Sequence, residues 1–564
     1  MKKLFAAIFG ITLLWPVLSP AENYTVKGDM GSNIRYELQE QVTAGGGIQK
    51  MVLSFVVPQS FQSPTSRQEI KEFGLAFSPE PQEKKNISDG RGNQIVVATW
   101  IRPPDVIDVR LFCNAQSETK LPALATQDPF PLVAVKPELM DYLKPTDQVQ
   151  SNDPRIRELA SQLTSNVKTE FDAVQRVIAW VVDHVHYVTP PARYDAVYSL
   201  ESGKGNCQNF SHLTAALLRT VGIPVRIVNG ITFNQPFDIA WQKGTLTFKM
   251  GQGRHSWVEV WFSELGWVPF DPQNTMLFVS TRYLRIEVGV DNNETKNDGL
   301  LRWAQVKDAE RPKLQENIAG NFNSDKVNVT GDRENYGPKN LILSPLVKAE
   351  FKQIEAPPPP PPPAVITDEE KKGLRYDVPF VFGNLEFPEN VDFAFPRVTK
   401  ASGVNQFEMS RNFLVETAEY VTTNLTQYAQ VVVLRKPVKL QKVGLALHKF
   451  GGDGLLWVDI FQDDQGKPGQ PISTSDFVNL DQLSLKPGYR WSDFDFSRDN
   501  PILMPGSYWI ALGFTGSPIV NWFYTYGKPV GPVDGTRYKS VFQQNWSGAM
   551  NYEFNYRVSG LTVK

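Results

Sequence analysis

The stretch GKGNCQNFSHL at residues 203–213 decides the fold of the middle of the chain. Two glycine-containing turns lead into an apolar run that is typical of a helix, and Cys207 stands where that helix would begin. Backbone N–H groups at a helix start are unpaired and the helix dipole is positive there, so this position favours an anionic thiolate. Cys207 is therefore a candidate nucleophile.

Two later motifs supply the partners that a nucleophilic thiol needs. His255 lies in the stretch RHSWVEVW and Asp271 in the stretch GWVPFDP. Both stretches are typical of strands, and the turn at residues 264–266 predicts a hairpin that brings the start of one strand beside the end of the other. His255 would then take the proton of Cys207, while Asp271 would accept the other ring N–H and orient the imidazole.

The residues around these motifs predict an α+β core over residues 149–290. Asp153 is a helix cap and Pro154 suits the first helical position. Apolar residues then recur at helical spacing, and Gly222-Ile223-Pro224 ends the helix that Cys207 begins. From there on the pattern predicts strands.

These blocks together resemble the transglutaminase-like superfamily. The resemblance covers about residues 150–275 and is carried by GNC at 205–207 through Leu218-Arg219, VGIPVR at 221–226, HSWVEV at 255–260, Gly266-Trp267 and Asp271-Pro272. It implies a papain-like fold with Cys207 as nucleophile, His255 as general base and acid, and Asp271 as the orienting carboxylate. It also implies acyl transfer or hydrolysis on protein or peptide amides through a cysteine thioester, and a β-sandwich ahead of the core.

Several features of this chemistry stay open at the level of sequence. The acyl acceptor is an amine or water, because the three residues serve both outcomes. The oxyanion donor is the backbone N–H of Cys207 or the side chain of Tyr187. The polar, glycine-rich segment 234–253 ahead of His255 is a candidate lid.

The flanking regions predict a multidomain chain with further β-structure. Short alternating runs predict an N-terminal β-sandwich, and a later series of strands and turns predicts a C-terminal β-sandwich or jelly roll. The predicted boundaries are a signal peptide at 1–21, the N-terminal sandwich at 22–148, the core at 149–290, an irregular extension at 291–355, a proline-rich linker at 356–371 and the C-terminal sandwich at 372–564.

The C-terminal region also supports a function of another class. Its tryptophans fit a core but can also stack on sugars, so a glycan or an envelope protein is a candidate partner there. In that case the chain is a non-catalytic cell-envelope binding or assembly protein whose transglutaminase-like core is degenerate.

The N-terminus predicts export. Lys2 and Lys3 precede a short apolar run, and small residues follow at 19–21, which is typical of a cleaved signal peptide. We therefore expect a periplasmic or extracellular protein with no transmembrane segment after cleavage. With 2 cysteines, Cys113 and Cys207, the chain is not a disulfide-stapled scaffold. The two could form one bridge, but Cys113 follows a strand-like run and is better explained as a buried small hydrophobe.

Composition argues against several other classes. A net charge of -2 gives no support to nucleic-acid binding, which needs a basic surface. His184, His186 and His212 lack the cysteine or carboxylate partners that would complete a metal site. Residues 291–302 lack the glycine and glutamate of a calcium loop. We expect no metal and no cofactor.

Overall fold

The computed structural model describes residues 23–564 apart from 122–125, 189, 242–243, 274–277, 335–340, 344–366, 385–396, 402, 404, 411–417, 486–487 and 526–533. The predicted signal peptide and the proline run at 357–363 lie outside the described residues. In the described part of the chain, no helix is both long and apolar enough to cross a membrane.

The N-terminal region is made of long strands with alternating burial. They are β1 (Asn23–Thr43), β2 (Ile48–Val57), β3 (Phe61–Gln62), β4 (Ser66–Ser78), β5 (Glu83–Ser88), β6 (Gln94–Ile101) and β7 (Val106–Leu121). In β7 every second side chain is buried, which is the period of a strand with one face on a core. Cys113 lies on that buried face, between Tyr36 of β1 and Phe73 of β4.

The central region has the predicted α+β arrangement. After a 3-10 helix at Pro137–Leu143 come α1 (Pro154–Leu163), α2 (Glu170–His184), β8 (His186–Tyr187), α3 (Ala196–Ser202), β9 (Lys204–Gly205), α4 (Cys207–Thr220), β10 (Val225–Thr232), β11 (Phe237–Trp241), β12 (Gly244–Phe248), β13 (Gly253–Phe262), β14 (Gly266–Phe270) and β15 (Tyr283–Gly289). Asp153 caps α1 by accepting the N–H of Arg155, as predicted.

A four-stranded antiparallel sheet in the order β14-β13-β10-β15 supports these helices. α4 packs against β13 of this sheet, and its residues Leu213 and Leu217 belong to the same buried apolar cluster as Val258 and Val260 of β13. Burial of an apolar face is the main source of stability for a helix of this length. The helix that begins with Cys207 is thereby fixed on the sheet that carries His255.

The polar composition of residues 291–355 predicts an irregular extension, but the described part contains β16 (Leu300–Gln305), β17 (Lys313–Glu334) and β18 (Leu341–Leu343). β17 pairs with β1 over its whole length, from Asn23 opposite Glu334 to Thr43 opposite Lys313. β16 pairs with β2. These strands complete the N-terminal sandwich, and their polar residues fit a sheet with one solvated face.

The C-terminal region is the predicted β-sandwich. Its elements are α5 (Asp368–Lys372), β19 (Val378–Gly383), β20 (Arg397–Lys400), β21 (Gln406–Ser410), β22 (Ala418–Thr423), β23 (Thr426–Leu434), β24 (Val438–Gly451), β25 (Gly454–Asp463), β26 (Pro468–Thr474), β27 (Val478–Asn479), a 3-10 helix at Leu480–Gln482, β28 (Arg490–Asp495), β29 (Ile502–Leu503), β30 (Gly506–Gly516), β31 (Ile519–Thr525), β32 (Thr536–Ser540), β33 (Ala549–Met550), β34 (Glu553–Phe554) and β35 (Tyr556–Thr562). One sheet follows β19-β35-β24-β31-β22 and the other β26-β25-β30-β23-β32. β20 and β21 lie outside this sandwich, because β21 pairs with β16 and so extends a sheet of the N-terminal sandwich. Trp509, Trp522 and Trp546 are buried in the region.

The three regions share hydrogen-bonded sheets. The hairpin of β11 and β12 extends the sheet β3-β4-β7-β1-β17 on one side and pairs with β33 on the other. Asn551 receives the N–H of Lys249 on its side-chain oxygen at 2.8 Å and donates back to the Lys249 carbonyl at 3.1 Å. Segment 234–253, the candidate lid, is thus joined to both sandwiches.

Candidate active site

Cys207 is the first residue of α4 and is fully buried. The helix start is held by two asparagines: Asn206 accepts the N–H of Gln208 at 3.1 Å, and Asn209 accepts the N–H of Asn206 at 3.1 Å. This reciprocal capping satisfies donors that a helix start leaves unpaired. The structure confirms the predicted helix start at Cys207.

The glycine two residues before Cys207 is required by close packing. Gly205 pairs with Tyr187 across β9 and β8, and a Cβ at Gly205 would lie 2.2 Å from the Cβ of Asn209. A larger residue would displace the capping asparagine and the helix start with it. The same pairing places Tyr187, the second candidate oxyanion donor, beside Gly205, two residues before Cys207.

The hairpin of β13 and β14 brings His255 and Asp271 together as the spacing predicts. Val258 pairs with Phe270, so Asp271, directly after β14, comes level with Trp257, two residues from His255 in β13. The Nε2 of His255 lies 2.7 Å from the Oδ2 of Asp271, and both side chains are buried. Because a carboxylate only accepts hydrogen bonds, Nε2 carries the proton.

The imidazole of His255 is linked to Cys207 as well as to Asp271. Complete burial opposes a charged ring, but the charge and the hydrogen bond of Asp271, together with the nearby Cys207, outweigh it and raise the pKa of His255 to about 10. Since Nε2 is used by Asp271, Nδ1 is the ring nitrogen left for Cys207. A ring with this pKa is protonated at neutral pH.

Helix α4 and strand β13 are tied together beside these residues. The Ser211 hydroxyl, one turn after Cys207, donates to the carbonyl of Ser256 at 3.1 Å. Ser256 follows His255 directly in β13. This buried bond couples the position of the thiol to that of the imidazole.

Asp271 has two further donors that sequence reasoning missed. The hydroxyl of Tyr283 donates to Oδ2 at 2.7 Å, and the N–H of Gln273 donates to Oδ1 at 3.0 Å. Trp257 was also missed, and its ring stacks on His255 with centroids 6.0 Å apart. An aromatic residue at a strand start predicts only a core position, so the sequence carried no signal for Tyr283.

The other thiol and the other imidazoles have separate surroundings. Neither Cys113 nor Cys207 is in a disulfide, which rules out the bridge between them. Burial raises the pKa of Cys113 to about 12. His184 and His212 each have a ring nitrogen on a backbone carbonyl, those of Leu200 and Tyr194. In the part of the chain that the structure describes, no three acidic, histidine or cysteine side chains are grouped as metal ligands would be.

A second buried polar cluster lies further along β13. Glu259 is fully buried and pairs with Arg226 at 2.5 Å and with Arg285 at 2.8 Å. The two guanidinium groups hold the pKa of Glu259 below its usual value against the opposing effect of burial. β13 thus holds ionised groups in the interior only where each has a charged partner.

Comparison with known proteins identifies this central region. Residues 157–272 match the model of the transglutaminase-like superfamily. The Bacillus subtilis protein YebA is 35% identical over 126 residues, covering 21% of this chain and 17% of YebA. The Mycobacterium leprae protein ML0607 is 28% identical over 162 residues, covering 28% of this chain and 54% of ML0607.

Two solved structures are also similar. A candidate cysteine protease from Cytophaga hutchinsonii is 16% identical, with a TM-score of 0.38, over 56% of this chain and 95% of that one. The periplasmic domain of TgpA from Pseudomonas aeruginosa is 17% identical, with a TM-score of 0.24, over 42% of this chain and 87% of that one. The family match spans the blocks of Cys207, His255 and Asp271, so the central domain, over residues 157–272, belongs to the transglutaminase-like superfamily.

Proposed function

We propose that this protein is a cysteine enzyme that cleaves a protein or peptide amide through a thioester on Cys207. The observation that carries the proposal is the buried arrangement of Cys207, His255 and Asp271, with the pKa of His255 raised to about 10. An imidazolium beside a thiol at a helix start favours the thiolate, which is the nucleophilic form.

The chemistry follows from these positions. The Cys207 thiolate attacks the amide carbon, and the carbonyl electron pair moves onto oxygen. The intermediate collapses as the C–N bond breaks, and His255 gives its Nδ1 proton to the leaving amine. An incoming amine or water then attacks the thioester, His255 takes the proton back and the thiolate leaves. Asp271 accepts the hydrogen bond from the Nε2–H of His255 throughout.

The oxyanion needs donors near the attacked carbonyl. The backbone N–H of Cys207 is one candidate, because the first N–H groups of a helix have no partner within it. Tyr187 is the second, since β8 holds it beside Gly205. Cys207 and His255 are both buried, so an acyl donor reaches them only after covering residues move.

The direct test supplies both acyl acceptors. Purified protein is incubated with glutamine-containing peptides and a biotinylated primary amine, and mass spectrometry separates amine adducts from hydrolysed products. We expect turnover in the wild type and in the control variant Cys113→Ala, which keeps Cys207. We expect no turnover in Cys207→Ala. Turnover that persists in Cys207→Ala contradicts the proposal, and the product ratio decides between transfer and hydrolysis.

The complete burial of Cys207 also favours a second candidate, a non-catalytic envelope-binding protein. In that case the thiol does not react with iodoacetamide at pH 6 or pH 8, and the C-terminal sandwich holds a glycan or protein ligand. Binding of the full chain to an array of envelope glycans, combined with an unreactive Cys207, supports this function over catalysis.

Export is part of both candidates. The predicted signal peptide supports a periplasmic or extracellular location, where amide donors and lysine acceptors are exposed on cell-envelope proteins. Fractionation of cells that produce the full chain tests this location. Retention in the cytoplasm of chains that keep residues 1–21 contradicts it.

A further inference from the structure

Tyr283 is the first residue of β15 and has a buried phenol. Its hydroxyl donates to the Oδ2 of Asp271 at 2.7 Å, the same oxygen that accepts the hydrogen bond from the Nε2–H of His255 at 2.7 Å. The other oxygen, Oδ1, accepts the N–H of Gln273 at 3.0 Å. Three donors therefore fix the carboxylate, and two of them meet at one oxygen.

The backbone of Tyr283 is held from two sides. β15 pairs with β10, where Tyr283 lies opposite Thr232. The preceding residue, Arg282, is fully buried and binds both carboxylate oxygens of Asp325 in β17, at 2.7 and 2.8 Å. Breaking such a pair would leave a buried charge without its partner, so the start of β15 is held in place.

The ring of Tyr283 also bounds the imidazole. Its centroid lies 5.9 Å from that of His255 and 5.3 Å from that of Trp257, which it meets edge to face. Trp257 stacks on His255 from another direction. The imidazole has aromatic neighbours on two sides and Asp271 at its Nε2 edge, which restricts rotation of the ring.

We propose that Tyr283 is a positioning residue for the Cys207–His255–Asp271 site. Its hydroxyl fixes the plane of the Asp271 carboxylate, and the carboxylate in turn directs the imidazole toward Cys207. This inference rests on the proposed function, and it adds a fourth side chain to the machinery. The hydroxyl acts through Asp271 and does not touch the acyl group.

Loss of the hydroxyl has a defined consequence. Without it, Oδ2 keeps only the bond to His255, and rotation about the Cβ–Cγ bond of Asp271 is less restricted. The imidazolium then spends less time against Cys207, and the thiolate that depends on the imidazolium becomes rarer. Removing partners that orient the residues of a site commonly lowers activity by about 10- to 100-fold.

The test compares Tyr283→Phe with a matched control, Tyr556→Phe. Tyr556 is also fully buried but lies in the C-terminal sandwich. The rate of iodoacetamide labelling of Cys207 is measured from pH 6 to pH 9 by mass spectrometry. We expect Tyr283→Phe to lower the pH 6 rate about 10-fold and the pH 9 rate much less, because a thiol ionises in base without an imidazolium. Tyr556→Phe should leave the profile unchanged.

The outcomes separate the two proposals. A wild type without fast labelling at pH 6 contradicts the proposed function itself. A fast wild type with an unchanged profile in Tyr283→Phe overturns the positioning role alone. The double variant Tyr283→Phe/Asp271→Asn should label no slower than Asp271→Asn, because both changes act along one route, and additive losses overturn that route.

A second measurement applies if Tyr283→Phe fails to fold. 3-Fluorotyrosine at position 283 keeps the shape of the side chain and makes its hydroxyl a stronger donor. We expect the pH profile of Cys207 labelling to shift while circular dichroism stays unchanged. An unshifted profile overturns the positioning role.

Discussion

The two cysteines of this chain are equally buried but lie in opposite surroundings. Cys113 lies in the apolar core of the N-terminal sandwich, between Tyr36 and Phe73, and burial raises its pKa to about 12. Cys207 lies at the start of a helix, beside a histidine whose pKa is raised to about 10. Burial is the same in both places, so it does not decide whether a thiol is reactive. The polar groups buried with the thiol decide it.

The largest expected effect is on alkylation of the two thiols. In the native protein Cys207 should be labelled by iodoacetamide at pH 6 to 8 at least about 100-fold faster than Cys113, whose thiolate fraction is on the order of one in ten thousand at pH 8. Cys207→Ala should remove nearly all label, and Cys113→Ala almost none. Equal labelling rates of the two thiols in the native protein would contradict the difference between their surroundings. As a control, the two thiols should be labelled at equal rates in denaturant, where both are exposed.

The next effect concerns the charge beside His255. Asp271→Asn keeps the size of the side chain but removes its charge, so the pKa of His255 should fall toward its ordinary value. We expect turnover to drop by about 100-fold or more, because an amide there no longer supports the correct tautomer or the imidazolium. Labelling of Cys207 at pH 6 should fall with it, while labelling of Cys113 should not change.

The same variant has a signature in stability. In the wild type the pKa of His255 is higher in the folded state than its ordinary value of 6.5, so its ion pair stabilises the fold fully below pH 6.5. That contribution is lost as pH rises from 6.5 toward about 10. Thermal unfolding midpoints should therefore fall over this range in the wild type and fall less in Asp271→Asn. If the unfolding midpoints of the two proteins fell in parallel with pH, the ion pair between His255 and Asp271 would not contribute to stability.

The comparison also explains what sequence could predict. The capping asparagine, the glycine turns and the hairpin spacing are local patterns, and they placed Cys207, His255 and Asp271 correctly relative to their elements. Tyr283 and Asp325 act through pairings between segments distant in sequence, and no local pattern encodes those. The strand at 313–334 was missed for a similar reason, since its partner β1 is almost 300 positions away in the sequence.

Glu170 extends the comparison to a third buried ionisable group, in the central domain. It is fully buried at the start of α2, and neither carboxylate oxygen has a hydrogen-bond partner among the described residues. Burial, with the nearby charge of Asp128, raises its pKa to about 8. Glu170 therefore resembles Cys113 rather than Asp271: it is an ionisable group without partners, and it is expected to be neutral at pH 7.

This makes a testable difference in stability. Because the folded-state pKa of Glu170 exceeds 4.5, its contribution is most favourable below pH 4.5 and is lost as pH rises through about 8. Glu170→Gln should remove that loss and raise the free energy of unfolding at pH 8 by on the order of 1–3 kcal/mol. The exposed Glu158→Gln is the control. A variant that is less stable than wild type at pH 8 would show that Glu170 is ionised and paired.

The smallest expected effect returns to Cys113. If this thiol is only a small apolar group, Cys113→Ala should cost about 1 kcal/mol from the lost packing, and Cys113→Ser should cost more because it buries a hydroxyl. Chemical denaturation measures both. Cys207→Ala and Cys207→Ser should not follow this order, since Cys207 has a hydrogen-bonding imidazole beside it that a hydroxyl can satisfy. If serine destabilised the protein more than alanine at both positions, the imidazole of His255 would not be accepting or donating a hydrogen bond at position 207. The two thiols would then have similar surroundings.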